Sequence, residues 1–356
     1  MKRQLDSVEA CVKDFAEGKI VIVVDDENRE NEGDMILAAE KATPESINMM
    51  LVHARGMVCA PTTSERLAQM GIEDMVKVNR DPKGTAFTVT LDASSGVGTG
   101  ISAADRARTV NLIADFNVGP EAFVTPGHIQ PLRARPGGVL ERAGHTEAGV
   151  DLACLAGLKP ACVICEILNE DGSMARLPDL LEFREKHGLK LMSVADLIEY
   201  RMRNENIMSL VFEREIETRF GKFIMKGLRS KADKRMHYAL VKGDVSVCEP
   251  LVRVHSENLL SDIFAAGELP SGGDSFERAM ELISESGCGV LAYVSRENSG
   301  LNYNGEASTP TARDYGIGSQ ILRALGLSKI RLITTHPGAH RIPEGYGLEI
   351  TDEVKI

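Results

Sequence analysis

The chain has 356 residues, of which 43% are hydrophobic and 26% charged. This length suits two domains, and the composition excludes a disordered or fibrous protein. Acidic residues outnumber basic ones by 52 to 41, for a net charge of −11, which disfavours nucleic-acid binding. No apolar run reaches the roughly 18 residues of a membrane span. The opening residues lack the apolar core of a secretory signal, and the 7 cysteines are few and odd in number, so we expect reduced thiols and a cytoplasmic protein.

Helix and strand signals alternate along the chain. A helical apolar spacing over residues 6–17 is followed by a β-branched run, Ile20–Val24, that predicts a buried strand. Further strands are predicted over 86–91 and 161–168, and further helices begin at Thr43, Ser102, Pro178 and Ser193. The last of these ends near Arg203, and 204–208 is the best linker. We predict an α+β (mixed α/β) fold of two domains, 1–203 and 209–356, each a mixed β-sheet layered with helices.

The loop Asp25–Asp34 holds six carboxylates in ten residues. A solvated charged turn is the ordinary interpretation of such a run. However, the loop directly follows a buried strand, where active-site loops are common, and we expect Gly33 to need a positive φ. Crowded carboxylates repel one another unless they share a cation or a proton. The spacing excludes an EF-hand, and magnesium, which takes one or two carboxylates and fills its shell with water and substrate oxygens, suits the loop better.

Two further features carry polar chemistry. The segment Arg142–Glu147 places small residues beside arginine, histidine and threonine, which would let a phosphate approach the backbone, although a surface turn is the alternative. Glu166 ends an apolar strand, where burial would raise its pKa and make it a candidate base, unless it simply points to solvent. Cys162 and Cys165 are three apart in a strand, so they face opposite sides and we interpret both as core residues.

Several motifs in the first domain resemble 3,4-dihydroxy-2-butanone 4-phosphate synthase of riboflavin biosynthesis. They are Val24–Asp34, Gly100–Arg106, Pro126–His128, Gly137–Leu140, Arg142–Glu147 and Cys165–Glu166, and the resemblance covers residues 6–202. The family converts D-ribulose 5-phosphate into 3,4-dihydroxy-2-butanone 4-phosphate and formate. The resemblance therefore implies a magnesium-dependent lyase, with manganese as an alternative ion, that forms a homodimer with shared active sites. Thr125 departs from the pattern, because many relatives have arginine there.

The same resemblance implies a role for each matching side chain. Glu30 and His145 would bind the metal, and Arg29, Glu32 and Asp34 would line the hydroxyl groups of the substrate. Arg142 and Thr146 would hold the phosphate, together with the backbone of Ala143 and Gly144. His128 and Glu166 match positions that the family needs for activity, and Cys59 matches a cysteine near the substrate. The catalytic candidates are thus His128, Glu166, Glu32, Asp34 and Cys59, with Glu166 as the expected proton shuttle.

Four motifs in the second domain are Ala239–Asp244, Leu251–Glu257, Arg313–Leu322 and Glu344–Ile350. On these motifs residues 209–350 resemble GTP cyclohydrolase II, but they depart from its pattern. The family binds zinc through three cysteines, and here Asn258 stands at the first position while the stretch 267–273 contains no cysteine. Thr311 replaces an acidic residue, although the matching Arg313 remains. Neutral asparagine cannot replace a thiolate on zinc. We therefore expect no zinc and no GTP hydrolysis, and a role in packing, oligomerisation or nucleotide sensing instead.

Two other hypotheses about the function of this chain remain open. One is a bifunctional enzyme that hydrolyses GTP through an unconventional metal site, and another is a scaffold in which both domains are inactive. His336 and His340 are separated by proline and glycine, which exclude a metal-binding helix face. Cys248 and Cys288 are predicted to be single thiols in the core.

Overall fold

A computed structural model describes residues 5–27, 29–231, 234–264, 273–301, 312–335 and 347–356. Of residues 273, 274, 312 and 313 only the backbone is described. The chain divides into two compact units, Met1–Tyr200 and Arg201–Ile356. Each unit contains one seven-stranded mixed sheet with helices packed on it, which confirms the predicted fold class.

The first sheet has the order β4-β5-β3-β6-β2-β1-β7. Its strands are β1 Val21–Val24, β2 Gly33–Ala38, β3 Cys59–Thr62, β4 Leu91–Ala93, β5 Phe123–Arg133, β6 Cys162–Glu166 and β7 Lys190–Ser193. The β1–β7 and β3–β5 pairs are parallel, and the other pairs are antiparallel. The strand predicted over 86–91 is mostly absent, because Thr88 donates to the carbonyl of Pro131 and proline has no N–H to return the bond.

Seven helices surround this sheet among the described residues. They are α1 Val8–Ala16, α2 Pro44–Met49, α3 Ser64–Gln69, α4 Ala103–Ala114, α5 His145–Leu155, α6 Leu177–His187 and α7 Val194–Asn204. Short 3₁₀ turns cover Ala39–Lys41, Pro120–Ala122 and Gly138–Leu140, and a π-helical turn covers Met50–Ala54. The predicted starts at Thr43 and Ser102 are confirmed, since each side-chain oxygen accepts an N–H of its helix's first turn.

The first sheet is buried on both faces. Successive residues of β1 belong to different cores, with Ile22 in one and Val23 in the other. Helices α2, α3, α4 and α6 contribute to the core that contains Ile22, and α1, α5 and α7 contribute to the second core. Cys162 and Cys165 also lie in different cores, which confirms that they face opposite sides of the sheet. The unit is therefore a three-layer sandwich, and its second core is called the α5 face below.

The second sheet has the order β14-β13-β11-β12-β10-β9-β8. Its strands are β8 Met208–Thr218, β9 Gly221–Ser230, β10 Met236–Lys242, β11 Leu251–Ser256, β12 Gly289–Val294, β13 Lys329–Thr334 and β14 Glu349–Lys355. The described helices of this unit are α8 Leu259–Asp262, α9 Gly273–Ser286 and α10 Ala312–Ala324, with a 3₁₀ turn at Glu297–Gly300. Helix α9 packs on Leu251, whereas Gly318 of α10 packs on Val254, so these helices cover opposite faces of β11.

Two further expectations, one about membrane spans and one about a pair of cysteines, can be compared with the structure. Within the described ranges, no helix is both long and apolar enough to cross a bilayer. The prediction that Cys248 and Cys288 are single core thiols is wrong, because the two are half-buried and joined in a disulfide, with Cα atoms 6.9 Å apart. The contact arises because the turn at Gly243 packs directly against Gly287, which brings the two surface loops together.

Candidate active site

The acidic loop joins two antiparallel neighbours in the sheet, β1 and β2, so it lies at one end of the first sheet. The expectation that Gly33 needs a positive φ is wrong, since that conformation falls on Asn31 instead, at 55°. Gly33 is needed for space, because a Cβ there would lie 2.4 Å from Cδ1 of Leu180 in α6. Close packing of a helix against the loop therefore explains this glycine.

Asp25 shapes the acidic loop. Its side chain is fully enclosed, and its Oδ2 accepts bonds from Arg29 Nη1 at 2.8 Å and from the backbone N–H of Glu30 at 3.1 Å. Its Oδ1 accepts the N–H of Glu32 at 2.8 Å. From the other side, Arg176 donates to the carbonyl of Glu30 at 2.9 Å. Asp25 and Arg176 have no role that could be assigned from the sequence, yet these two side chains fix the backbone that presents Glu30 and Glu32.

Three side chains converge as a potential metal site. One ligand atom each from Asp25, Glu30 and His145 lie within 4.8 Å of one another. Nδ1 of His145 lies 3.9 Å from Oε2 of Glu30 and 3.7 Å from Oδ1 of Asp34. Both Nε2 of His145 and Oδ1 of Asp34 are buried and lack a hydrogen-bond partner. Buried polar atoms without partners are costly unless a ligand satisfies them, and the carboxylate oxygens of this cluster are the donors that suit magnesium or manganese.

The carboxylates around this point change one another's ionisation. Asp34 on β2 lies directly opposite Glu166 on β6. Burial raises the pKa of Asp34 well above its usual range, and the charges of Glu166 and Glu32 raise it further. Burial, followed by the charge of Glu30, also raises the pKa of Glu32. Burial lowers the pKa of His145, which keeps the imidazole neutral, as a metal ligand must be.

Glu166 is held in a fixed position at the end of β6. Its Oε2 accepts the backbone N–H of Met57 at 2.7 Å. The preceding residue, Gly56, leaves space for this contact, since a Cβ there would lie 2.6 Å from that same oxygen. Glu166 is half-buried, so its carboxylate is neither enclosed in the core nor free in solvent. Gly56 was not singled out by sequence, because the need for a glycine arises only from contact with a strand 110 positions away.

The start of α5 brings positive charge to the same end of the sheet. Gly144 is the N-cap residue, and it offers no side chain to the exposed N–H groups of the first turn. A Cβ on Gly144 would lie 2.5 Å from Nη1 of Arg142 and 2.8 Å from Nη2 of Arg29, so two guanidinium groups converge there. Thr146 is buried in the first turn, while Ala143 is exposed just before it. Such a helix start suits an anion such as phosphate.

His128 lies on the same face of the sheet but further along it. The strand registers place it level with Glu166 and separated from it by β3, a distance of about 10 Å for two strand spacings. Its Nδ1 contacts Oδ2 of Asp92 at 2.6 Å, and Oδ1 of Asp92 accepts its backbone N–H at 2.9 Å. Gly100 permits this contact, because a Cβ there would lie 2.1 Å from Oδ2 of Asp92. Asp92 is a positioning residue that sequence reasoning missed.

Cys59 is enclosed in the core on the α5 face, with only 2% of its surface exposed. Burial raises the pKa of its thiol, and the charges of Glu166 and Asp34 raise it further. The thiol is therefore protonated, which removes its nucleophilic form. Its backbone pairs with Ile164, two residues before Glu166 on β6, so Cys59 lies beneath the carboxylates and supports them.

The second unit has a closed polar network where zinc would be expected. Asp262 accepts bonds from Nε2 of His255 at 2.9 Å and from the hydroxyl of Tyr293 at 2.9 Å. It also accepts the N–H of Asn258 at 2.9 Å and the hydroxyl of Ser261 at 3.0 Å. Burial raises the pKa of Asp262, but the bond and charge of His255 outweigh burial, and the pKa lies below its usual range.

Asn258 itself caps α8, since its Oδ1 accepts the N–H of Leu260 at 3.2 Å. An amide oxygen engaged in this way does not fit a zinc thiolate position. The other residues discussed for this unit, namely most of 267–273, Thr311, His336 and His340, lie outside the described residues, as does the side chain of Arg313.

Comparison with known proteins identifies the family. The family model for 3,4-dihydroxy-2-butanone 4-phosphate synthase matches residues 9–200, more than half of the chain. The chain belongs to the 3,4-dihydroxy-2-butanone 4-phosphate synthase family. It is accordingly an enzyme, a lyase of riboflavin biosynthesis. The family model for GTP cyclohydrolase II matches residues 209–355, so the synthase is fused to a second domain of that family.

Relatives are similar to this chain over more than nine-tenths of their length. Riboflavin biosynthesis protein RibBA of Aquifex aeolicus is 46% identical, over 99% of this chain and 93% of the relative. The RibBA protein of Phocaeicola vulgatus is 43% identical, over 99% of this chain and 92% of the relative.

Solved structures resemble the synthase as well. The crystal structure of RibBX, described as a two domain 3,4-dihydroxy-2-butanone 4-phosphate synthase from A. baumannii, is 40% identical with a TM-score of 0.79. It covers 98% of this chain and 99% of that one. A 3,4-dihydroxy-2-butanone 4-phosphate synthase in complex with two magnesium ions is also 40% identical, with a TM-score of 0.55 over 56% of this chain and 98% of that one.

Proposed function

We propose that residues 1–203 form a synthase domain that converts D-ribulose 5-phosphate into 3,4-dihydroxy-2-butanone 4-phosphate and formate. The observation that carries this proposal is the cluster in which Nδ1 of the buried His145 lies 3.9 Å from Oε2 of Glu30 and 3.7 Å from Oδ1 of Asp34, an oxygen that is itself buried without a hydrogen-bond partner. Buried polar atoms without partners are stabilised by a ligand, and a cation would relieve the repulsion between the carboxylates of the surrounding acidic loop. The crystal structure of a synthase with two magnesium ions supports magnesium as that cation.

Glu30 and His145 would hold the metal, with Mg²⁺ as the expected ion and Mn²⁺ as the alternative. When bound there, the cation would polarise the carbonyl oxygen of the sugar phosphate and acidify the neighbouring C–H. Arg29 contributes in two ways, because its Nη1 holds the carboxylate of Glu30 at 2.6 Å while its Nη2 faces Gly144. It would orient the metal ligand and the substrate hydroxyl groups together.

The remaining carboxylates would move protons. Glu166 faces Asp34 across the β2–β6 pair and is held by the N–H of Met57, so it can exchange a proton without changing position. The raised pKa values of Asp34 and Glu32 suit a proton donor at neutral pH, in contrast with an ordinary exposed carboxylate. We assign Glu166 as the proton shuttle, with Glu32 and Asp34 contacting the substrate hydroxyl groups.

The phosphate would bind at the start of α5. The free N–H groups of its first turn, the hydroxyl of Thr146 and the backbone of Ala143 and Gly144 form the anion-binding side of the site. Arg142 and Arg29 add positive charge beside Gly144. In this arrangement the phosphate lies at one end of the substrate and the metal at the other.

His128 completes the site in our proposal through a homodimer. About 42% of its side chain is exposed, and Asp92 fixes the orientation of its ring. The imidazole of His128 is therefore both oriented and accessible to a substrate. The shared active sites implied by the family resemblance would place it against the substrate of a second copy. Cys59 would support the carboxylates from the core rather than act on the substrate itself.

For residues 209–356 we propose a folded domain that does not hydrolyse GTP. The closed Asp262 network and the capping role of Asn258 support this proposal, because neither leaves a ligand for zinc at that position. The alternative is a bifunctional enzyme with an unconventional site, which the RibBA names of the relatives favour.

One assay tests both domains, because each family reaction releases formate. The purified full-length protein is incubated with Mg²⁺ and Zn²⁺, and formate is measured separately with D-ribulose 5-phosphate and with GTP. We expect formate from the sugar phosphate alone. No formate from the sugar phosphate would refute the proposed synthase activity, and formate from GTP would refute the proposal of an inactive second domain.

A further inference from the structure

A lysine outside the family motifs bridges the two arginine-bearing segments of the candidate site. Lys83 lies in the loop of residues 79–85, called the 79–85 loop below. Its Nζ donates to the backbone carbonyl of Arg29, in the acidic loop. Its own backbone carbonyl accepts a bond from Nε of Arg142 at 3.1 Å, in the segment before α5. One residue thus contacts both segments that converge on Gly144.

The 79–85 loop is ordered by its own bonds. Asp81 accepts the N–H of Lys83 at 3.2 Å and the N–H of Thr85 at 2.7 Å. Asn79 accepts the N–H of Asp81 at 2.8 Å and donates to the carbonyl of Thr85 at 2.8 Å. These bonds hold the backbone independently of the lysine side chain. Lys83 therefore projects from a formed turn, and a ligand that binds it does not have to order the loop backbone.

All three nitrogen atoms of the Arg142 guanidinium group already donate hydrogen bonds. Its Nη1 donates to Oε2 of Glu147 at 2.6 Å, its Nη2 donates to the hydroxyl of Thr85 at 2.8 Å, and its Nε binds the Lys83 carbonyl. Glu147 neutralises its charge, and Asp25 and Glu30 neutralise that of Arg29. A phosphate dianion approaching Gly144 consequently meets two arginines whose charges are paired. Lys83 is exposed, and within the described part of the chain its ammonium group donates to a neutral carbonyl and contacts no carboxylate.

We propose that Lys83 is a substrate-binding residue that supplies the uncompensated positive charge for the phosphate of the sugar phosphate, and that Thr85 is a positioning residue whose bond to Arg142, itself a phosphate ligand, holds the 79–85 loop in place for it. This inference rests on the proposed function. An ammonium group carries its charge to an oxyanion as a compact point and binds phosphate well in other sites. The class of ligand is a phosphorylated sugar, recognised at its phosphate end.

The test compares Lys83→Ala with Lys77→Ala. Both variants remove one exposed lysine from the same connecting segment, but Lys77 lies before the 79–85 loop. Lys83→Ala keeps the backbone carbonyl that Arg142 binds, so the loop should stay in place. Loss of a charge-assisted contact should raise KM for D-ribulose 5-phosphate about tenfold and weaken competitive inhibition by inorganic phosphate by a similar factor. Lys77→Ala should match the wild type in both.

The outcomes separate this inference from the function on which it rests. Wild-type protein that releases no formate refutes the proposed function, whatever the variants do. Wild-type activity with an unchanged KM and an unchanged phosphate inhibition in Lys83→Ala refutes the inference alone. A fall in kcat with both of those quantities unchanged also refutes it, because the lysine would then act on a step other than phosphate binding.

A second pair of variants tests the positioning role of Thr85. Thr85→Val removes the hydroxyl that Arg142 binds, and Thr85→Ser retains it. We expect Thr85→Val to raise KM and weaken phosphate inhibition in the same direction as Lys83→Ala, and Thr85→Ser to restore both. Equal effects of the two Thr85 variants would overturn the assignment of Thr85 as a positioning residue.

Discussion

The acidic loop region of the first unit and the Asp262 network of the second differ in whether their buried polar atoms have hydrogen-bond partners. In the first unit, Nε2 of His145 and Oδ1 of Asp34 are buried without hydrogen-bond partners. In the second, Asp262 accepts bonds from two side chains of other elements, His255 and Tyr293, and from its own helix. The first cluster needs a ligand to satisfy its buried atoms, whereas the carboxylate at the centre of the second is already hydrogen-bonded.

This difference shows how a binding site and a structural polar cluster can be told apart. An unsatisfied buried polar atom costs free energy, so it persists where a ligand satisfies it in the working state. A satisfied network contributes to the stability of the fold and needs no ligand. The two units of this chain have similar sheet sizes and similar layering, so the contrast comes from the side chains and not from the architecture.

The largest effect should follow Glu30→Gln, which removes a proposed metal ligand. Glutamine has nearly the same shape, but it lacks the charge that a cation needs and that Arg29 also binds. We expect formate release from D-ribulose 5-phosphate to fall by about 100-fold or more at any magnesium concentration up to about 10 mM. The measurement is a magnesium titration of the formate assay with the full-length protein.

Glu27→Gln is the matched control, because Glu27 is an exposed carboxylate of the same loop. It should behave as the wild type. If Glu30→Gln kept its turnover, Glu30 would not bind the metal. The contrast between a ligand-binding site at the acidic loop and a structural network at Asp262 would then lose its principal support.

A smaller effect, on stability, is expected from Asp262→Ala in the second unit. This variant leaves the buried His255 and the half-buried Tyr293 without their shared partner, which should cost about 3 kcal/mol. Tyr200 is the one tyrosine of the first unit and the chain has 6 tyrosines and no tryptophan, so tyrosine fluorescence during urea unfolding reports mainly on the second unit. Formate release from D-ribulose 5-phosphate should not change.

Asp352→Ala is the comparison variant, since Asp352 is an exposed carboxylate that contacts Arg331 at 3.3 Å and should contribute less than about 1 kcal/mol. A zinc chelator should leave the unfolding of the second unit unchanged. Unfolding that shifts with the chelator, or an Asp262→Ala variant as stable as Asp352→Ala, would contradict the view of the network as a complete, metal-free structure.

Asp25→Asn should have the smallest of these effects and sharpens the comparison within the first unit. The amide has a single acceptor oxygen, so it cannot accept from Arg29 and the N–H of Glu30 on one side and from the N–H of Glu32 on the other, and Glu30 should lose part of its alignment. We expect the affinity for Mn²⁺, measured by electron paramagnetic resonance without substrate, to fall about tenfold, as for other residues that orient metal ligands. An affinity equal to that of Glu27→Gln would show that Asp25 does not support the metal site.

Much of the fold could be predicted from local signals. The caps at Thr43 and Ser102 and the β-branched run of β1 depend on residues adjacent in sequence, and the structure confirms them. The strand predicted over 86–91 is mostly absent for a reason that lies outside that segment, because Pro131 limits its pairing. The disulfide between Cys248 and Cys288 depends on two loops that meet only in the folded unit.

For the candidate site, sequence determined the two contiguous segments, Asp25–Asp34 and Arg142–Thr146, because each carries its chemistry within a few residues. Tertiary structure alone decided how they are supported. Asp92 reaches His128 across 36 positions, and Lys83 reaches Arg29 across 54 and Arg142 across 59. The physical reason is that a hydrogen bond or a close glycine contact depends on distance in space, which strand order and register set, and composition and spacing along one segment carry no record of it.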